Sequence, residues 1–141
     1  MAQNYSNHTR YVPLFHMVGG TLILGILGGS IVNIIKAESS AKYSAALLVL
    51  VALVLLILFW YARWFALRAQ DRAIRAEENF RHFILTGKPL DKSLRMSQVV
   101  ALRFASDEEL PELAQRAAAE KLSQQEIKKS ILQWRPDYNR V

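Results

Sequence analysis

Residues 55–80, LLILFWYARWFALRAQDRAIRAEENF, begin as hydrocarbon and end as salt, with no proline or glycine between. Leu55 to Trp60 suit lipid, whereas the arginines and glutamates from Arg63 onward need water. Helix-forming residues on both sides predict one helix that leaves a membrane and continues into the aqueous phase. Beyond Arg63, the positions Ala66, Ala69, Ala73, Ala76, Phe80 and Phe83 recur at alternating steps of three and four. That is the spacing of a heptad seam. Leu67 and Ile74 broaden it. Arg68, Asp71, Arg72, Arg75, Glu78 and Arg81 occupy the opposite face, and Asp71–Arg75 and Glu77–Arg81 are acid-first pairs four apart. The stretch TGKPL, residues 86–90, ends the pattern. The aqueous part would reach roughly 30 Å if straight. An apolar edge of that length calls for company, from the downstream helices, a second copy or another protein.

Upstream, residues 44–62 carry no charged residue, and residues 13–35 contain no Asp, Glu, Lys or Arg. A run of this second length reaches roughly 35 Å as a helix, against a hydrocarbon core of about 30 Å. Pro13 suits a first helical turn. Residues 36–43, KAESSAKY, leave room only for a tight hairpin. Lys36 and Lys42 lie on that hairpin, while Arg10, Arg63, Arg68, Arg72 and Arg75 lie on the other side. The balance predicts an inner-membrane protein with both termini cytoplasmic. Residues 1–13 are polar and the run behind them lacks a small-residue cleavage site, so the first span is expected to be retained. Trp60, Tyr61, Arg63, Trp64, Arg68 and Arg72 are the expected lipid-interface residues, with Phe65 extending the aromatic belt and Tyr11 and Phe15 answering it on the first span.

On the first span, Thr21, Gly25, Gly29 and Asn33 recur every four residues and share a face, with Gly20 and Gly28 alongside. Gly25 and Gly29 form a GxxxG pair, which lets helix backbones approach closely in lipid. The stripe would serve packing against the second span, or self-association between copies. His16 is the polar residue to flag inside this span, where an imidazole needs a partner.

Chemistry finds little purchase. The chain has 141 residues, a net charge of +6 and no cysteine, so disulfides, thiolate metal sites and cysteine nucleophiles are excluded. His8, His16 and His82 lack a metal-ligand spacing, and no phosphate loop, dinucleotide fingerprint or nucleophile elbow is present. No catalytic residue, metal ligand or cofactor is assigned. Residues 87–141 predict three short helices: one capped by Ser97, one opened by a Ser106/Glu109 capping box, and one opened by Ser123/Glu126 and running to Trp134 before Pro136. Val99, Val100, Leu102, Phe104, Leu110, Leu113, Ala114, Ala117, Ala118, Ile127, Ile131 and Trp134 form their inner faces. Lys121, Lys128, Lys129, Arg135 and Arg140 are balanced by six nearby carboxylates, which argues against nucleic-acid binding.

AQNYSNHTRYVPLFH, FALRAQDRAIRAEE, ALRFASDEELPELAQRA and IKKSILQWRPDYNRV together resemble a family of small bacterial two-span membrane proteins classed as a domain of unknown function. The resemblance implies two spans and a cytoplasmic helical tail, and brings no activity, cofactor or partner. The expectation is therefore an all-α protein. Residues 1–12 form a cytoplasmic segment, 13–35 and 44–62 the spans, 36–43 the hairpin, 63–86 the continuing helix and 87–141 a helical unit. Its partners would be membrane lipids and either further copies or other membrane subunits. The expected role is that of a non-enzymatic oligomeric scaffold or adaptor. An accessory subunit of a respiratory or transport complex and a homo-oligomeric pore are the alternatives.

Overall fold

The computed structural model describes residues 3–7 and 11–138. His8, Arg10 and Arg140 lie outside the described residues. A π-helical turn, Leu14–Gly19, leads into α1, Gly20–Lys36; then follow α2, Lys42–Thr86, α3, Met96–Leu102, α4, Leu110–Ala119, and α5, Gln124–Ser130. The chain is all-α, and two of its helices are long and apolar enough to cross a membrane. α2 is helical without interruption through the Trp60–Gln70 stretch, where hydrocarbon gives way to charge. It ends where Gly87 takes a left-handed φ of +73° and its N–H donates to the Phe83 carbonyl at 2.8 Å, a glycine cap.

Two compact units share α2: Tyr11–Ala66, and Leu67–Val141 together with Met1–Arg10. In the first unit the buried positions are small. Ala45 and Ala52, seven apart on α2, are covered, as is Ser30 on α1. Phe59, a further seven along, is half-buried and stacks on Phe15 at 4.2 Å between ring centres. A Cβ added to Gly19 would lie 3.2 Å from the Phe59 ring. Ser30 spends its hydroxyl on its own helix, donating to the Leu27 carbonyl at 2.9 Å.

The second unit has a closed core of Leu102, Phe104, Leu110, Ala117 and Ile127, all without exposed surface. Three details depart from the sequence expectation. Ser97 does not cap α3: the Gln98 side chain folds back and accepts from the Arg95 N–H at 2.7 Å, leaving Ser97 inside the first turn. The Ser106 hydroxyl does accept from Glu109 N–H at 3.4 Å. The Glu109 carboxylate, however, turns away to accept from the N–H groups of Leu132 and Gln133 at 3.0 and 3.2 Å, so α4 begins only at Leu110 and Pro111 falls in its first turn. α5 stops at Ser130 rather than Trp134, because the chain beyond it prefers another partner. Trp134 pairs with Ala105 in an antiparallel bridge, Arg135 N–H donates to the Phe104 carbonyl at 2.8 Å, and the Trp134 ring stacks on Phe104 at 4.6 Å. The Ser123/Glu126 box forms in both directions.

Candidate interaction surfaces

Two runs of residues were singled out for helix packing, and the structure places both on open faces of the chain. On α1, Thr21, Gly25, Gly29 and Asn33 are all exposed. A Cβ added at Gly25, Gly28 or Gly29 would meet nothing within 4 Å. The covered positions of the same helix are Gly20, Ile23, Leu27, Ser30 and Ile34. At 3.6 residues per turn these lie on the side away from Gly25, Gly28 and Gly29. Packing within the chain falls to Gly19 instead, beneath Phe59. A side chain there would crowd a ring, a signal that sequence spacing did not carry.

On α2, Ala69, Ala73, Ala76, Phe80 and Phe83 are likewise exposed, Phe80 by 65% and Phe83 by 50%, and Ala66 is partly covered. The chain's own helical unit uses a different and more polar face of α2. Ile74 is buried there. Arg75 donates to the Leu94 carbonyl at 2.8 Å, and Leu90 N–H donates to Asn79 Oδ1 at 3.0 Å. Glu78, almost fully buried, pairs with Arg81 at 2.9 Å and with Arg135 at 3.6 Å. Arg81 also reaches Asp107 at 2.6 Å and the Ala105 carbonyl at 2.8 Å. The expected Glu77–Arg81 pair is thereby displaced: Arg81 turns inward to Glu78 and Asp107, where each of its three nitrogens finds an acceptor. A buried carboxylate stays tolerable because two guanidinium groups face it. Sequence periodicity scores apolar residues as inward, so it missed a seat built on charge pairing.

Most of the residues expected at the lipid interface are exposed. Trp60, Tyr61 and Trp64 are exposed, Arg68 and Arg72 are exposed, and Arg63 is half-covered. Tyr61, Trp64 and Phe65 contact one another at ring separations of 5.2–5.8 Å. His16 is held by its own turn. Its Nδ1 lies 2.8 Å from the Val12 carbonyl oxygen, and the ring stacks on Tyr11 at 4.8 Å and meets the edge of Phe15. Among the described residues, no group of three His, Cys, Asp or Glu side chains is placed to hold a metal ion. An open hollow of about 740 Å³ lies between His82, Thr86, Lys88, Glu112, Ala114 and Ala118. His82 there is tied to the Lys88 carbonyl at 2.8 Å.

One further contact was invisible to the sequence. The Gln3 amide grips the backbone of Asp137 at two points: its Nε2 donates to the Asp137 carbonyl at 3.0 Å, and Asp137 N–H donates to its Oε1 at 2.8 Å. The early and late segments of the chain are thus joined as a strand pair would join them.

With this geometry in view, the chain belongs to a family of unknown function, DUF6526, whose model matches residues 1–141. No curated protein and no solved structure matches it.

Proposed function

We propose, with that membership as the premise, that the chain is an integral inner-membrane scaffold or adaptor that acts by helix–helix packing and carries out no chemistry of its own. Membrane residence is supported by how little of the two apolar helices the chain covers, 6% and 11% of their most hydropathic windows. The core helix of a soluble protein would be covered on most sides. A hairpin layout is supported by the Phe15–Phe59 stack across a connection of only five residues, 37–41. Both termini on the cytoplasmic side are supported by the Gln3–Asp137 grip, which holds early and late segments together, and by the arginines at positions 63, 68 and 72.

The observation that carries the scaffold role is the pair of open faces. A glycine stripe in the apolar helix and an alanine–phenylalanine face further along are surfaces of the kind that receive other helices, and this chain leaves both uncovered. Gentle extraction followed by native mass measurement tests the role. A repeated single species is expected. Co-purifying foreign chains would recast the protein as a subunit of a larger machine, and a lone monomer would remove the scaffold role. Gly25→Leu with Gly29→Leu should reduce the assembled size while leaving the contacts at Phe59 intact. Full assembly in that variant would take the glycine stripe out of the interface.

A further inference from the structure

We infer that α2 pairs with α2 of a second copy, parallel and in register, along Ala69, Ala73, Ala76, Phe80 and Phe83, with Arg72 of each copy reaching Glu77 of the other. The inference rests on the scaffold role above and specifies its partner and geometry.

Heptad bookkeeping makes the case. With Ala69, Ala76 and Phe83 at the d positions and Ala73 and Phe80 at a, Ile74, Arg75, Glu78, Arg81 and His82 take b, c and f. Those positions, with Asn79 at g, are the ones that this chain's own helical unit engages. The intrachain fold therefore uses the back of the helix and leaves free the a/d edge that a coiled-coil partner needs.

Charge identifies that partner. Arg72 falls at g and Glu77 at the next e, five residues on. In a parallel two-stranded pair, that g residue of one helix meets that e residue of the other. Both are exposed, and neither has an ion pair or hydrogen bond among the described residues. Two identical copies would complete the pair twice over by symmetry. Membrane insertion supplies the direction, because copies that enter the bilayer the same way present α2 the same way. Alanines at the first three seam positions permit close approach, and the two phenylalanines fill the wider end. Fifteen residues of seam, about 22 Å, are too short to hold two helices together in water. Copies confined to one bilayer and held at one height meet at high effective concentration, which offsets that weakness.

The native chain has no cysteine, which makes cross-linking clean. Full-length Ala69→Cys, Ala73→Cys and Ala76→Cys variants, oxidised in native membranes, should give covalent dimers, because like positions face one another across a parallel seam. Arg68→Cys and Asp71→Cys, on the back of the helix, should stay monomeric. A protein that is oligomeric by native mass but does not cross-link at these alanines, or cross-links equally on both faces, overturns the seam and leaves the scaffold role standing. A monomeric mass overturns both. Arg72→Glu alone or Glu77→Arg alone should weaken pairing about tenfold, as two exposed ion pairs turn repulsive. Co-expression of the two single variants with different tags should restore pairing, because the mixed dimer regains both attractions. Failure of the mixed pair to recover overturns the Arg72–Glu77 contact.

Discussion

The two units of this chain are closed by opposite means. Between Tyr11 and Ala66 the covered residues are small, and most large side chains turn outward, Ile35 by 75% and Leu22 by 62%. From Leu67 onward the core is made of fully covered leucine, phenylalanine and isoleucine, tied across by polar side chains. Gln98 shows the second style. Its amide donates to the carbonyls of Ala117 and Leu122 at 3.1 and 2.8 Å while its oxygen caps α3, so one buried side chain links three segments. A helix pair in lipid gains nothing from hiding leucine, since the solvent is as apolar as the side chain, and close approach over small residues must hold it instead. A helical unit in water gains from every covered methylene and must satisfy each polar group it buries. In the proposed bilayer setting, the same chain obeys each rule on its own stretch.

The sharpest break in that contrast should come from the core of the helical unit. Leu102→Ala removes a fully covered side chain and should destabilise the helical unit by about 2–5 kcal/mol. Limited proteolysis would read this as early cleavage between residues 90 and 135, with the 11–66 stretch still protected by the proposed bilayer. Equal loss of protection in both would mean that the two units fold as one. The 11–66 unit should answer to a smaller change. Gly19→Ala places a methyl 3.2 Å from Phe59 and should cost about 1 kcal/mol, while Gly25→Ala should leave the isolated chain's helix pair unchanged. Resistance of the two variants to harsh detergent would separate them, and equal sensitivity would assign the wrong glycine to the contact.

Acid gives the mildest test. Hydrogen bonds from Ser93 hold Asp91 below the ordinary carboxylate range. The backbone N–H of Glu108 itself and then the Ser106 hydroxyl do the same for Glu108, and the Ser123 side chain and backbone do so for Glu126. For carboxylates lowered in the folded state, the stabilisation is complete above the unfolded value and disappears as pH falls through the folded one. Hydrogen exchange in α4 and α5 should therefore stay flat from neutral pH down to the carboxylate range and quicken below it, after correction for intrinsic rates. The 11–66 unit contains a single acidic residue, Glu38, and should show no such step. A step of equal size there would contradict the contrast.

Much of this was legible in the residues. The unbroken helix through Trp64, the two apolar spans, the Ser123/Glu126 box and the inward face of Leu110, Leu113, Ala114 and Ala117 follow from period, propensity and capping chemistry. What escaped depends on contacts far apart in sequence. The face of α2 that seats the helical unit carries Arg75, Glu78 and Arg81, and nothing local says that Asp107 and Arg135 will come to meet them. α5 stops early because Glu109, some twenty residues upstream, takes the N–H groups of Leu132 and Gln133. For the proposed interaction surfaces, spacing singled out the residues, but whether their own chain covered them could be known only once the competing face was seen to be occupied.

The grip of Gln3 on Asp137 has a consequence for how the molecule is made. The Gln3 side chain finds its seat 134 residues further along the chain, so one edge of the helical unit stays unsealed until everything between the two has been synthesised. Whatever bilayer crossings lie between the two must come in an outbound and homebound pair before that edge can close.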